Sequence, residues 1–302
     1  MKKQLRGIAA LLTATIIWGS AFISQSIGMD HIGPFTFQAV RCALAVIGLM
    51  PVIAIMDKLN GRSFIKGWQD KQLWRAGLLC GIPLFIATGF QQVGLVYTSA
   101  GKAAFLTAMY IVMVPVLGLF LKRKFSFMIP VSVVLAVAGL YFLSCVGVTQ
   151  INPGDIVMLF CAVAFAVQIL FVDRFAPQVD ALRLNCLQAL VCSILSGIIT
   201  IFTENVQLTS LLDCWLPLCY AGFLSMGAAY ALQIVGQKHI EPNSASLIMS
   251  LESVFAVLSA WVLLGEILSV WEGIGCILMF LAVILSQIPV GKRQQKNRSA
   301  TG

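Results

Sequence analysis

Apolar runs long enough to cross a bilayer recur from one end of this 302-residue chain to the other, with only short polar gaps between them. They begin near Ile8, Pro34, Trp74, Ala103, Phe127, Gly154, Arg183, Cys214, Ser244 and Val270. A hydrocarbon core about 30 Å thick takes roughly 20 helical residues to span. The surface is composed to match: 11% of residues are charged, 59% are hydrophobic, and the mean hydropathy is +0.94. A water-soluble domain needs about 25% charged residues to cover itself. The expectation is an all-α membrane protein of ten transmembrane helices with little room for a soluble domain. The first run follows a basic start (Lys2, Lys3, Arg6), as a secretory signal would. It then continues from Gly7 to Ile27 with no convincing small-residue cleavage site, so it reads as a retained helix.

The net charge of +8 would suit nucleic acid or another anionic partner, but its distribution points elsewhere. With the N-terminus inside, 18 of the 20 basic residues fall on the internal side, from Lys2 through Lys58–Arg75, Lys122–Lys124, Arg174, Arg183 and Lys238 to the tail after Gly291. Lys102 alone falls in an external loop, and Arg41 lies within the second segment. That is the positive-inside bias, so the basic surplus reports topology. Both termini are expected in the cytoplasm, no nucleic-acid partner is expected, and the basic tail would touch anionic headgroups. Most of the nine cysteines sit within apolar runs as small hydrophobes. No CxxC or Cys/His cluster occurs, so neither a metal nor another cofactor is expected. Cys145 and Cys214 fall near the external face and are the one pair placed to bridge.

The chain also repeats itself. Shifted by 147 residues, the first two segments lie over the sixth and seventh, so that Trp18 meets Phe165, Gln38 meets Asn185 and Arg41 meets Gln188. Shifted by 142, the third and fourth lie over the eighth and ninth, so that Gln91 meets Gln233, Ala103 meets Ala245 and Leu121 meets Leu263. The register changes within the loop Asp57–Lys71, where an insertion costs little. Five segments per half is an odd number, so the second half would start on the opposite side of the membrane. Two inverted bundles related by a pseudo-two-fold axis in the membrane plane are the architecture of many secondary transporters, with the substrate near the midplane between them.

These halves resemble the two EamA-type repeats of the drug/metabolite transporter superfamily. The resemblance rests on Trp18-Gly19-Ser20, on Arg41 with its Ala-rich continuation, and on Tyr97-Thr98-Ser99-Ala100-Gly101-Lys102-Ala103. In the second half it rests on Leu251-Glu252 and on Leu264-Gly265-Glu266. It covers nearly the whole chain. Two departures stand out: Ser253 follows Glu252 where the family often has Pro, and Arg123-Lys124 stands where many repeats have Gly-Glu. The missing Pro argues against a kink in the ninth segment.

Polar residues inside the membrane carry the functional reading, because a charge at the bilayer centre costs about 2.5–3.5 kcal/mol on insertion scales. Glu252 reads as an acceptor for a cationic group or a proton-exchanging carboxyl, and equally as a structural partner of an Arg or the backbone. Arg41 either snorkels, pairs across the bundle as a structural or gating residue, or binds a substrate carboxylate. Lys102 opens the fourth segment, where a helix N-terminus draws anions, or is an ordinary boundary lysine. Gln91 and Gln233 occupy equivalent positions and suit a hydrogen-bonding solute or an interhelical bond; Gln92 faces elsewhere. Gln168, Tyr110 and Tyr230 belong to the same class. Trp18 lies near the bilayer centre, to pack or to line a cavity. Trp68, Trp74, Trp215 and Trp271 read as interfacial anchors, and Glu266 and Glu272 as solvated. Gly77 and Gly81 permit close helix contact, while Pro83 and Pro115 can hinge their helices; Pro217 falls near a helix start.

No P-loop, catalytic pair or filter-like sequence appears, so transport would run down a gradient or couple to an ion. The reading is a carrier built from residues 1–146 and 147–290 with a basic tail at 291–302, in the bacterial plasma membrane. By resemblance its substrates are small metabolites such as amino acids or related amphiphilic organics, most often exported. Proton coupling through Glu252 and a homodimeric assembly stay open. The alternatives are an importer or exchanger of a sugar, nucleoside or vitamin-like solute, or, in another class, an intramembrane enzyme or sensor.

Overall fold

The computed structural model describes residues 2–123, 126–144, 153–264 and 269–288, and every regular element among them is helical. The first half supplies α1 (Lys2–Met29), α2 (Pro34–Leu59), a short α3 (Phe64–Gly67), α4 (Lys71–Leu95), the broken pair α5 (Ala100–Ala108) and α6 (Tyr110–Phe120), and α7 (Met128–Ser144). The second half supplies α8 (Pro153–Phe175), α9 (Ala181–Thr203), a short α10 (Leu208–Asp213), and then α11 (Trp215–Cys219) running through a π-helical stretch, Tyr220–Ala229, into α12 (Tyr230–Gln237). The broken pair α13 (Pro242–Met249) and α14 (Glu252–Leu264) follows, and then α15 (Val270–Ser286). Among the described residues, eight helices are long and apolar enough to cross a membrane, with two shorter apolar ones, Met128–Leu143 and Val270–Ser286. Cys145, Lys124, Gly265, Glu266 and the tail after Gly291 lie outside the described residues.

Local signals set the helix starts. Pro34 and Pro242 occupy the first turns of α2 and α13, where a missing N–H costs nothing. Asp70, Ser99 and Asp180 cap α4, α5 and α9. Ser269 and Glu272 form a reciprocal capping box on α15, so Glu272 works as a cap as well as a solvated charge.

Packing depends on small residues at the crossings, because apolar side chains gain little by leaving lipid for one another. A Cβ on Gly77 or Gly81 would lie 2.5 or 2.8 Å from the Cβ of Leu187 or Val191 on α9, which accounts for the close approach of α4. Gly236 of α12 admits Leu11 of α1, and Gly139 of α7 faces Gly275 of α15 backbone to backbone. The contact pattern is mirrored between the halves: α8 packs on α4, α5 and α6, while α1 packs on the π-helical stretch, α12, α13 and α14. The pairs α2–α9 and α7–α15 join like to like. Large apolar side chains such as Ile47, Leu78, Phe202 and Ile277 point outward, as a lipid-facing perimeter requires. Trp74, Trp215 and Trp271 are exposed with them, whereas Trp68 lies under the Arg183 guanidinium, 5.5 Å from ring centroid to Cζ. Trp68 is therefore a packing wall and not a free interfacial anchor.

The ninth segment is broken despite its missing Pro, between Met249 and Glu252. Serines supply the break. Ser246 and Ser250 donate their hydroxyls to Asn243 O and Leu247 O, both at 2.8 Å, and such back-bonding bends helices. The backbone tightens alongside, with Leu251 N bonding Ile248 O and Ser253 N bonding Ser250 O. The fourth segment breaks at Met109, the position that the 142-residue shift places on Leu251. By contrast, α4 and α6 run on through Pro83 and Pro115.

Candidate functional site

The two breaks, α1, α2, α4, α8 and the π-helical stretch with α12 surround a narrow central cavity of about 30 Å³ in this conformation. From α1 come Trp18, Phe22 and Gln25; from α2, Arg41; from α4, Gln91; and from around the first break, Thr107 and Tyr110. The second half contributes Phe165 and Ile169 from α8, Ser225, Tyr230 and Gln233 from the π-helical stretch and α12, and Met249 and Glu252 around the second break.

Ten of these residues form five pairs under the two shifts already described. Trp18 and Phe165, and Phe22 and Ile169, are 147 apart, while Gln91 and Gln233, Thr107 and Met249, and Tyr110 and Glu252 are 142 apart. The last pair meets directly: Tyr110 Oη donates to Glu252 Oε1 at 3.1 Å. Glu252 is 5% exposed and opens α14. Trp18 packs edge-on to Tyr230 with ring centroids 4.9 Å apart, and its indole N–H is buried without a hydrogen-bond partner among the described residues.

Behind the second-half wall runs a ladder of amides. Gln233 Nε2 donates to Gln168 Oε1 (3.1 Å) and to Gln237 Oε1 (3.0 Å). Gln188 Nε2 donates to Asn185 Oδ1 at 2.8 Å. Asn185 Nδ2 then bonds the carbonyls of Met226 and Gly227 at 3.0 and 2.7 Å, acceptors within the π-helical stretch. Such stretches concentrate at functional sites. Gln38, the counterpart of Asn185, donates to Phe85 O at 3.2 Å, and Phe85 is the counterpart of Gly227.

On the first-half side, Gln25 is the hub. Its Oε1 accepts from Arg41 Nη1 at 2.6 Å and also from Gln92 Nε2. Arg41 is 2% exposed, so it neither snorkels nor meets Glu252 within ion-pair distance. Gln92 does turn from the cavity, but it steadies the arginine's partner and so bears on the site. Gln91 donates to Thr107 Oγ1 at 3.3 Å.

Of the eight residues expected to bind substrate, the structure brings Glu252, Gln91, Gln233, Trp18, Tyr110 and Tyr230 to one cavity. Gln168 stands one hydrogen bond behind it. Lys102 lies apart: its Nζ is 2.6 Å from Asp155 Oδ2, bracing α5 against α8. Pro83 and Pro115 do not line the cavity, whereas Arg41 does. Sequence reasoning missed Gln25, Ser225, Thr107, Met249, Phe22, Phe165 and Ile169 as lining residues. Applying the 147-residue shift to Trp18 would have found Phe165.

Residues 5–145 and 152–287 each match the EamA-like transporter family. An uncharacterized transporter of Archaeoglobus fulgidus is 34% identical over 297 residues, covering 95% of this chain and 88% of its own length. The uncharacterized transporter YoaV of Bacillus subtilis is 21% identical over 301 residues, covering 97% of this chain and 100% of its own. A protein of known crystal structure shares the fold with a TM-score of 0.74 at 18% identity, covering 98% of this chain and 99% of that one.

Proposed function

The chain belongs to the EamA-like transporter family, and from that premise we propose that it is a ten-helix secondary carrier whose central cavity holds substrate at the midplane. Its repeats, 1–146 and 147–290, are inserted oppositely, and exchange of their conformations gives the two access states. Both termini face the cytoplasm of a bacterial cell, with the tail 291–302 against the inner leaflet. The substrates are small amphiphilic metabolites, amino acids or their relatives, moved outward.

One observation carries this reading: repeat-equivalent residues converge on the same cavity, the pairs Trp18–Phe165, Gln91–Gln233 and Tyr110–Glu252 among them. A pseudo-two-fold axis through the cavity accounts for that convergence. The chemistry of the wall suits the substrate class, since aromatic rings, amides, one guanidinium and one carboxyl face a common space. Relatives named as transporters favour a carrier over an intramembrane enzyme or sensor.

The test uses purified protein in liposomes loaded with an amino-acid mixture, followed by entry of the labelled mixture. Counterflow is expected, and Glu252→Gln should lower it more than ten-fold and flatten its pH dependence. Undiminished flux with unchanged pH dependence in the variant would remove Glu252 from the mechanism. Absence of counterflow alongside chemical conversion of a solute would replace the carrier by an enzyme.

A further inference from the structure

Arg41 is a buried cation with no carboxylate within ion-pair distance among the described residues. Its Nη1 donates to the neutral amide oxygen of Gln25 at 2.6 Å, and Gln92 Nε2 donates to the same oxygen. Its Nε and Nη2 have no hydrogen-bond partner among the described residues. The ion pairs among those residues join Lys102 with Asp155, Arg123 with Asp173, and Arg183 with Asp57 and Asp180, and none includes Arg41. The Phe37 ring, 5.8 Å from the guanidinium carbon, offers only a cation–π contact. A guanidinium stays protonated in proteins, and a buried charge left unpaired is strongly destabilising.

The two unpartnered atoms are informative as a set. Nε–H and the outer Nη2–H lie side by side on one edge of the guanidinium plane, which is the edge that grips a carboxylate with two parallel hydrogen bonds. Arg41 lines the cavity with Trp18, Phe22 and Phe165, so an apolar body would be received beside the charge.

We propose that Arg41 is the docking point for the carboxylate of the transported solute, making the substrate class organic carboxylates with an apolar or aromatic body. This rests on the cavity being the transport site. Gln25 and Gln92 are positioning residues: they hold Nη1, and Nε and Nη2 are left buried without a partner until a ligand supplies one. The carboxylate neutralises Arg41 only while substrate is present, so the loaded cavity is the better-compensated state.

The experiment compares 3-phenylpropionate with its neutral isostere 3-phenylpropionamide, by ligand-induced shift of the unfolding temperature of the full chain in nanodiscs. Wild type should bind the carboxylate at least ten-fold more tightly than the amide. In Arg41→Gln that preference should fall to near one, and in Arg41→Lys a reduced preference should remain. A preference near one in wild type, or one undiminished in Arg41→Gln, overturns the proposal. If Arg41→Gln fails to fold, the wild-type ratio and Arg41→Lys decide, the latter by a preference smaller than wild type. Trp18→Ala separates this inference from the reading beneath it. Weakening of both probes with a wild-type ratio near one keeps the cavity as the binding site and removes Arg41 from it. Failure of both probes to bind wild type removes the two together.

Discussion

Asp57→Ala is expected to lower the stability of the folded chain by about 3–5 kcal/mol, the cost of removing one partner from a buried ion pair. Asp57 lies in the last turn of α2, and its Oδ2 accepts from Arg183 Nη2 in the first turn of α9. Both side chains are nearly sealed, at 6% and 5% exposure. The guanidinium is enclosed further by the Trp68 ring and by Gly67, where any Cβ would lie 2.3 Å from it. After Asp57→Ala the carboxylate left near it among the described residues is Asp180, at 3.9 Å and 39% exposed, with the Phe64 carbonyl 3.4 Å from Nη2. Unfolding in detergent should therefore show a large loss for Asp57→Ala and for Arg183→Met, and a double variant less damaged than their sum. Additive losses would mean that the pair is screened by water and that the packing of Trp68 supplies the stability.

The same pair shows how the fold uses its repeat. Position 57 plus 147 is Glu204, and position 183 minus 147 is Thr36. Glu204 ends α9 on the other face, where it accepts from Phe35 N at 2.9 Å and from Thr36 N and Oγ1 at 2.8 and 2.6 Å. Equivalent carboxylates thus tie the two ends of the α2–α9 pair. Both ties are closed at once in this conformation. The proposed alternating access would either open one tie or leave α2 and α9 as the fixed pair around which other helices move. Flux decides between them: Asp57→Ala should slow it if the tie is an internal gate, and should leave it intact per folded molecule if α2–α9 is static.

How far the sequence could be read depended on whether a feature was periodic or local. Hydropathy placed the start of each long helix within three residues except α1, which begins at Lys2, six before the expected Ile8, because a bilayer imposes one length and one solvent on all of them. Trp18, Gln91, Gln233 and Glu252 were legible as polar or aromatic intrusions in apolar runs. Gln25 was not, since an amide four residues from the end of α1 looks like ordinary boundary polarity. Asp57 was passed over for the same reason, beside a charged loop. Lys102 gave no sign of Asp155, because their proximity depends on α5 packing against α8 across the halves. The break before Glu252 was misjudged because Pro was taken as the only breaker, whereas two serines and a tightened backbone do the same. The π-helical stretch left no mark in composition, and its support by Asn185 exists only once α9 has packed against it.

Gly19→Leu is expected to abolish transport and to destabilise the bundle by about 3 kcal/mol or more, at the upper end of overpacking costs. The glycine of Trp18-Gly19-Ser20 marks where α1 touches α14: a Cβ there would lie 2.5 Å from Phe255 Cβ and 2.7 Å from Ala256 N. Phe255 cannot swing clear, because the obstruction includes backbone as well as its side chain. A leucine would push α1 away from α14, parting Trp18 from Glu252, which stand on those two elements and line the cavity together. Gly19→Ala should cost less, about 1–3 kcal/mol, with partial loss of flux. Gly197→Ala is the control, since nothing lies within 4 Å of the Cβ it would add. Flux assays beside thermal unfolding separate the two effects: loss of stability with wild-type flux per folded molecule would mean that the α1–α14 contact supports the fold without shaping the cavity. Loss of flux exceeding the loss of folded protein would make this contact the surface on which one repeat closes against the other.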